Sequence, residues 1–299
     1  MSSLKEVKNR INSVKSTQKI TSAMQMVASA KLHKRQQSID GLYPYQQLMD
    51  KILRNFLSSD LGEIKSPFLE EREVKRVAIV PIASNTSLCG AFNANVNRRF
   101  LEVYTQYKEE LGAENITIYP VGRKVNDFIK KQEIPVAQSY ENLAEHLAYE
   151  TSHEFASMLM NKFITKEIDQ VVLIYHHFKM ISSQILMVET YLPIDLASLI
   201  KINESSEIIG EIQTEIPSYI VEPSVEEFIQ ELIPQAVRLK MHTVLLDANT
   251  SEHAARMLAM QMAPDNAEER IDDLTQQSNK TRQQAITNEL LDIIGGTFK

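Results

Sequence analysis

From about Ser224 to Gly295 the chain sustains one helical pattern, and no other feature constrains its fold as much. About 71 residues at ~1.5 Å each make a rod of roughly 105 Å, roughly twice the width of a globular domain of this size. Part of such a helix must project, and its apolar side needs a cover. Glu226 and Glu227 suit its N-terminus, and Gly295-Gly296 is expected to end it. Ala263, Ala267, Ile271, Leu274, Ser278 and Ala285 follow a 4, 4, 3, 4, 7 spacing. That is a narrow seam, partly of small residues, which allows a close helical neighbour.

The neighbour is expected at the other end of the chain. Residues from about Ser3 to Leu57 also read as helix, with Leu4, Val7, Ile11 and Val14 spaced 3, 4 and 3 apart. The same seam then meets Gln18 and Thr21, while apolar residues shift to Ile20, Met24, Val27 and Ala28. Gly41 and Pro44 are expected to bend this helix or restart it. Pro264 should kink the C-terminal helix near residues 260–264 without ending it, because periodicity resumes at Ala267.

Between the helices, strand and helix signals alternate from about Val74 to Ser218. Strands are predicted over 74–84, 114–122, 169–178 and 183–194, the last as half of a hairpin. Helices are predicted over 93–111, 123–131 and 143–163. The expected fold class is therefore α/β: a long antiparallel coiled coil of N- and C-terminal helices with an inserted Rossmann-like α/β domain. The segments are 1–58, 74–218 and 224–299.

Charge is unevenly spread. Residues 1–35 carry eight Lys/Arg, including Lys15 and Lys19, against Glu6 alone, a balance of +7. The whole chain is −7, so the remainder sums to −14. The basic segment reads as a face for an acidic partner or as a solvated surface. A transit peptide fits less well, because the segment is Lys-rich and runs straight into more helix. Nucleic acid is disfavoured by the acidic remainder and the absence of aromatics in residues 1–35. No run approaches 18 apolar residues. The single cysteine, Cys89, excludes an internal disulfide framework.

Catalytic signatures are missing. There is no G-x-x-x-x-G-K-[ST] or G-x-G-x-x-G pattern. "SLCGAFNAN" (87–95) joins a strand to a helix, and reads as a connection more readily than as an anion site. His153-Glu154 lacks the second His of a zinc helix. His176 and His177 should point to opposite faces of a strand, so structural roles are expected. Cys89 reads as a small buried hydrophobe. Met24, Met26, Met257, Met260 and Met262 lie on the two long helices and read as core filler or as an adaptable contact surface. "NKTRQQAITNELLDIIGG" (279–296) holds Arg282, Gln283, Thr287 and Glu289 within two turns, either a bidentate recognition group or an ordinary exposed face.

"INSVKSTQKITSAMQMVASAK" (11–31), "ARMLAMQMAPDNAEERIDDL" (255–274) and "NKTRQQAITNELLDIIGG" resemble the terminal signatures of the gamma subunit of F-type rotary ATP synthases. "SLCGAFNAN" resembles that family's SDxGLCGxFN turn. The resemblance implies a central-stalk rotor with no catalytic site and no cofactor or metal of its own. Its coiled coil would sit inside the alpha3-beta3 hexamer. Its α/β domain would meet the epsilon subunit and the c-ring, touching the membrane only peripherally. Ion flow, of protons or sodium, would turn the shaft, and ATP would be made at the beta subunits. Met24, Arg256, Arg282, Gln283, Thr287 and Glu289 match family positions for beta contact and coupling, with Lys15 and Lys19 on the same basic helix. Three departures stand out: "SNTSLCG" for SDxGLCG, Gln25 for a usual Lys or Glu, and Pro264 for a usual Thr or Ser. No cysteine-bearing regulatory insert is visible, so thiol control is not expected. The Met start without a presequence implies a bacterial protein on the cytoplasmic side of the plasma membrane. The alternatives are a Rossmann-type nucleotide-binding enzyme with helical oligomerisation arms, and a coiled-coil scaffold without a rotor role.

Overall fold

A computed structural model describes residues 4–58, 66–70, 72–194, 221–222 and 224–297. The end of the expected second region, residues 195–218, lies outside them. In chain order the main elements are α1 (Leu4–Ser58), β1 (Val77–Pro81), α2 (Phe92–Leu111), β2 (Ile116–Ile118), α3 (Arg123–Lys131), α4 (Tyr149–Ile164), β3 (Gln170–Met180), β4 (Ser183–Leu192) and α5 (Val225–Thr297). The described residues cluster into two compact units. One comprises α1 up to Lys31 with α5 from Arg256 onward; the other comprises residues 32–255.

In the larger unit, four strands lie in the order β2-β1-β3-β4. β1 pairs in parallel with both β2 and β3, with Val77 opposite Ile116 and Gln170. β3 and β4 form an antiparallel hairpin. β1 is buried on both faces, which is why "VAIV" reads as a continuous apolar run. Val77 and Ile79 face a core made with Val96 and Phe100 of α2 and Val125 and Ile129 of α3. Ala78 and Val80 face the other core, which holds Leu159 and Phe163 of α4, Met49 and Leu53 of α1, and Ile233, Val237 and Leu245 of α5. Tyr191 of β4 is fully enclosed there, and its hydroxyl donates to the Val237 carbonyl at 2.7 Å.

α4 begins at Tyr149, later than expected, with a short 3-10 turn over Asn142–Ala144 before it. α5 is capped at its start by Ser224, whose Oγ accepts the Glu227 N–H at 3.3 Å. It continues through Pro234, Pro264 and Gly295-Gly296 to Thr297, so the glycine pair does not stop it. α1 likewise runs through Gly41 and Pro44 without restarting. Each proline removes one intrahelical donor, and packing on both sides of it outweighs that loss.

In the smaller unit the two helices run antiparallel. The Gln18 side-chain amide donates to the Pro264 carbonyl at 3.4 Å and fixes the register. Leu4, fourteen residues before Gln18, then lies level with Ser278, fourteen after Pro264; both are half-buried. On α1 the seam is Val7, Ile11, Val14, Gln18, Thr21, Gln25 and Ala28. On α5 it includes Arg256, Met260, Ala267, Ile271 and Leu274. The apolar residues of this stretch divide: Ala28 is buried and Met24 half-buried, whereas Ile20 and Val27 are more than half exposed. Thr21 holds the seam position instead. Its hydroxyl is satisfied within its own helix, by the carbonyl of Thr17 or Gln18, so it is buried without an unmet donor. The α5 seam also ends earlier than its spacing implied, since Ala285 is exposed.

Candidate partner interface

The crevice at the carboxyl ends of β1 and β3, where the strand order reverses, is the usual ligand site of an open α/β sheet. Here it is filled by the chain itself. Leu245, Ala248, Asn249 and Glu252 of α5 close over Ile82, Ala83, Phe92, Leu143 and Ala144, leaving a void of about 10 Å³, room for about one water. The adjoining loop before α2 is tied up by its own side chains. Asn93 Oδ1 accepts the Ser84 N–H at 3.0 Å, and its Nδ2 contacts Cys89 Sγ at 3.2 Å and the Thr86 carbonyl at 3.3 Å. Cys89 is buried, as its sequence context implied. Asn85 accepts the Arg123 N–H through Oδ1 and donates to the Glu141 carbonyl through Nδ2, both at 2.9 Å. These bonds commit the polar side chains of the loop to the loop itself and to α3.

His176 and His177 point to opposite faces of β3. His176 is buried, stacks on Phe92 at 4.5 Å between ring centres, and is held to a pKa of about 4 by burial. His177 points the other way, to Asp247 of α5 at 2.6 Å. Among the described residues, no group of three or more His, Cys, Asp or Glu is placed to hold a metal. Among the described residues, no helix is long and apolar enough to cross a membrane.

The contact residues expected from the sequence all lie on the two long helices. Lys15 and Lys19 are exposed on α1, and Met24 is half-buried. Arg256 is almost fully buried on α5. Arg282, Gln283, Thr287 and Glu289 are all exposed. The Thr287 hydroxyl donates to the Gln283 carbonyl at 2.9 Å, an intrahelical bond that leaves the amide side chain of Gln283 uncommitted by it. Met24 and Arg256 therefore belong to the two-helix seam region, whereas the other four α5 residues lie on a stretch without burial. The methionines divide: Met260 is buried, Met24 and Met257 are half-buried, and Met26 and Met262 are exposed.

Sequence reasoning missed the apolar half of the last stretch. Ile286, Leu290, Leu291, Ile293 and Ile294 are each at least half exposed. From Arg282 to Ile294 every side chain described is exposed. The signal was present: large apolar residues continue after the α5 seam has run out at Thr281. Polar density in "NKTRQQAITNELL" masked it.

A family profile described as ATP synthase matches residues 3–298. The chain is 55% identical to the ATP synthase gamma chain of Bacteroides fragilis over 298 residues, covering 100% of both chains. It is 54% identical to the gamma chain of Bacteroides thetaiotaomicron over 303 residues, again covering 100% of both. The chain belongs to the ATP synthase gamma-chain family. In fold it is similar to a chain of the Euglena gracilis mitochondrial ATP synthase (OSCP/F1/c-ring), with a TM-score of 0.62 at 20% identity, covering 99% of this chain and 93% of that one.

In this family member the C-terminal helix fills the crevice at the carboxyl ends of β1 and β3. The departure Asn85 also has a role in this member. Its Nδ2 donates to the Glu141 carbonyl, a bond that the family's usual aspartate has no hydrogen to make.

Proposed function

We propose that this chain is the non-catalytic central shaft of an F-type ATP synthase, turning within a ring of alpha and beta subunits and driving each beta site through its states. Segments 1–58 and 224–299 supply the shaft. Segment 74–218 supplies the foot, where the epsilon subunit and the c-ring attach on the cytoplasmic side of a bacterial plasma membrane.

One observation carries this reading: beside Val7, Met260 and Leu274, the seam of the two-helix unit is built largely from small and polar residues, while several large apolar residues lie outside it. Thr21, Ala28 and Ala267 are buried while Ile20, Met26, Val27 and Met262 are exposed. A helix pair stabilised for its own sake would invert that arrangement. Exposed apolar residues on a slender pair fit an enclosing sleeve, and unbranched Met adapts to a changing one. The exposed lysines of α1, Lys5, Lys8, Lys15, Lys19 and Lys31, supply attraction to acidic loops on beta without a fixed geometry. Binding at beta and the angle of the shaft then bias each other equally, because coupling free energy is reciprocal.

Met24, Arg256, Lys15, Lys19, Arg282, Gln283, Thr287 and Glu289 form the proposed beta-contact set. Met24→Lys tests it. A new ammonium on the basic helix would hold one shaft angle too firmly. ATP-driven ion pumping by the assembled complex is expected to fall at least roughly fivefold more than ATP hydrolysis, within the usual range of coupling energies. Equal losses in both activities would remove Met24 from the contact set.

A further inference from the structure

Asp247 is a carboxylate buried in the middle of α5, in the larger unit, with two partners on the β3–β4 hairpin. Its Oδ1 accepts the Phe178 backbone N–H at 2.7 Å, and its Oδ2 meets His177 Nδ1 at 2.6 Å. Both bonds join the same long helix to the same point on β3. A buried carboxylate costs stability unless it is paired and hydrogen-bonded, so this one residue makes the seating of α5 on the hairpin depend on the state of His177.

The surroundings favour charge on the imidazole. The His177 side chain is about 39% exposed at 2.6 Å from the carboxylate, so a proton can reach it from solvent. Glu189 of β4 adds negative potential and Lys179 of β3 opposes it. Glu189 is itself engaged by the Lys240 ammonium at 2.6 Å and by the Tyr175 hydroxyl at 3.0 Å. The buried hydroxyl of Tyr43 on α1 lies close enough to feel both Asp247 and Asp40. The hydrogen bond to Asp247 raises the His177 pKa above its ordinary value, and partial burial opposes this.

We propose that His177 and Asp247 form a proton-sensitive latch that fastens the C-terminal helix to the β3–β4 hairpin, tight when the imidazole is charged and looser when it is neutral. A neutral imidazole with its hydrogen on Nδ1 still donates to Asp247, but a charge-assisted bond is roughly twice as strong. The latch therefore slackens without opening. The sign follows from the raised pKa: the added stability is complete below the ordinary histidine value and is lost as pH rises through the folded-state value. Loosening at this point would soften the seat of α5 as the surrounding solution turns alkaline.

The test uses the full-length chain, with the His177 ring followed by NMR and amide exchange followed at Phe178. His177 should titrate above 6.5, and Asp247→Asn should lower that value. Protection of the Phe178 amide, corrected for intrinsic base catalysis, should fall severalfold across the same pH window. In His177→Gln, which keeps Asp247 and removes the titrating group, protection should be independent of pH over that window. A His177 pKa at or below 6.5 would overturn the proposal. So would equal pH dependence of Phe178 protection in wild type and His177→Gln. If Asp247→Asn does not fold, the His177→Gln comparison decides alone.

Discussion

Gly122 and Gly41 show how differently one residue type is constrained in this chain. Gly122 has φ +98°, and a Cβ there would lie 2.2 Å from the Ala83 carbonyl oxygen. That carbonyl is backbone and cannot swing aside. Gly122→Ala therefore combines left-handed strain with a hard clash, at a cost of more than about 3 kcal/mol. Gly41 sits inside α1 with nothing within 4 Å of the same position. Gly41→Ala should stabilise the chain by about 0.5–1 kcal/mol through helix propensity alone. Urea denaturation of the two variants checks both signs. The residue identities gave part of this: the connection at 87–95, the buried Cys89 and the opposed directions of His176 and His177 all follow from local pattern. The His177–Asp247 pair did not, because its members are 70 positions apart and nothing local links a strand histidine to a helical aspartate.

Elements were the more legible scale. Four strands, the hairpin and the two long helices each announced themselves through period and length. β1 is the clearest case, since a strand buried on both faces must be apolar throughout. The errors share a cause. Gly41, Pro44 and Gly295-Gly296 are breakers by intrinsic preference, but each is spanned by a continuous helix; at Pro264 continuation was the expectation, and α5 does continue. Tertiary packing decides the course of a long helix more than any single residue's propensity. Ile20 and Val27 are apolar yet exposed for a related reason: under the proposed rotor reading, sequence hydrophobicity also marks surfaces that other subunits would cover. This separates two substitutions. Ala28→Leu overpacks the close helix contact and should cost about 1–3 kcal/mol. Ile20→Ser changes an exposed position and should stay within about 0.5 kcal/mol in the isolated chain. Thermal melting by circular dichroism distinguishes them, and comparable losses would show that Ile20 is packed within the chain.

At the scale of the molecule, an α/β scaffold and a helix pair divide the work. The scaffold spends its ligand crevice on its own C-terminal helix, which agrees with the proposed reading of a chain that transmits position. The helix pair turns several large apolar residues, Ile20, Met26, Val27 and Met262, and its lysines outward, where the proposed surrounding ring would reach them. A complex immobilised through its beta subunits, with an optical probe on the foot of this chain, tests the shaft assignment most directly. With ATP supplied, the probe should turn in one direction in three steps of about 120°, as a ring of three equivalent catalytic sites requires. A probe that stays fixed relative to beta while ATP is hydrolysed would contradict it.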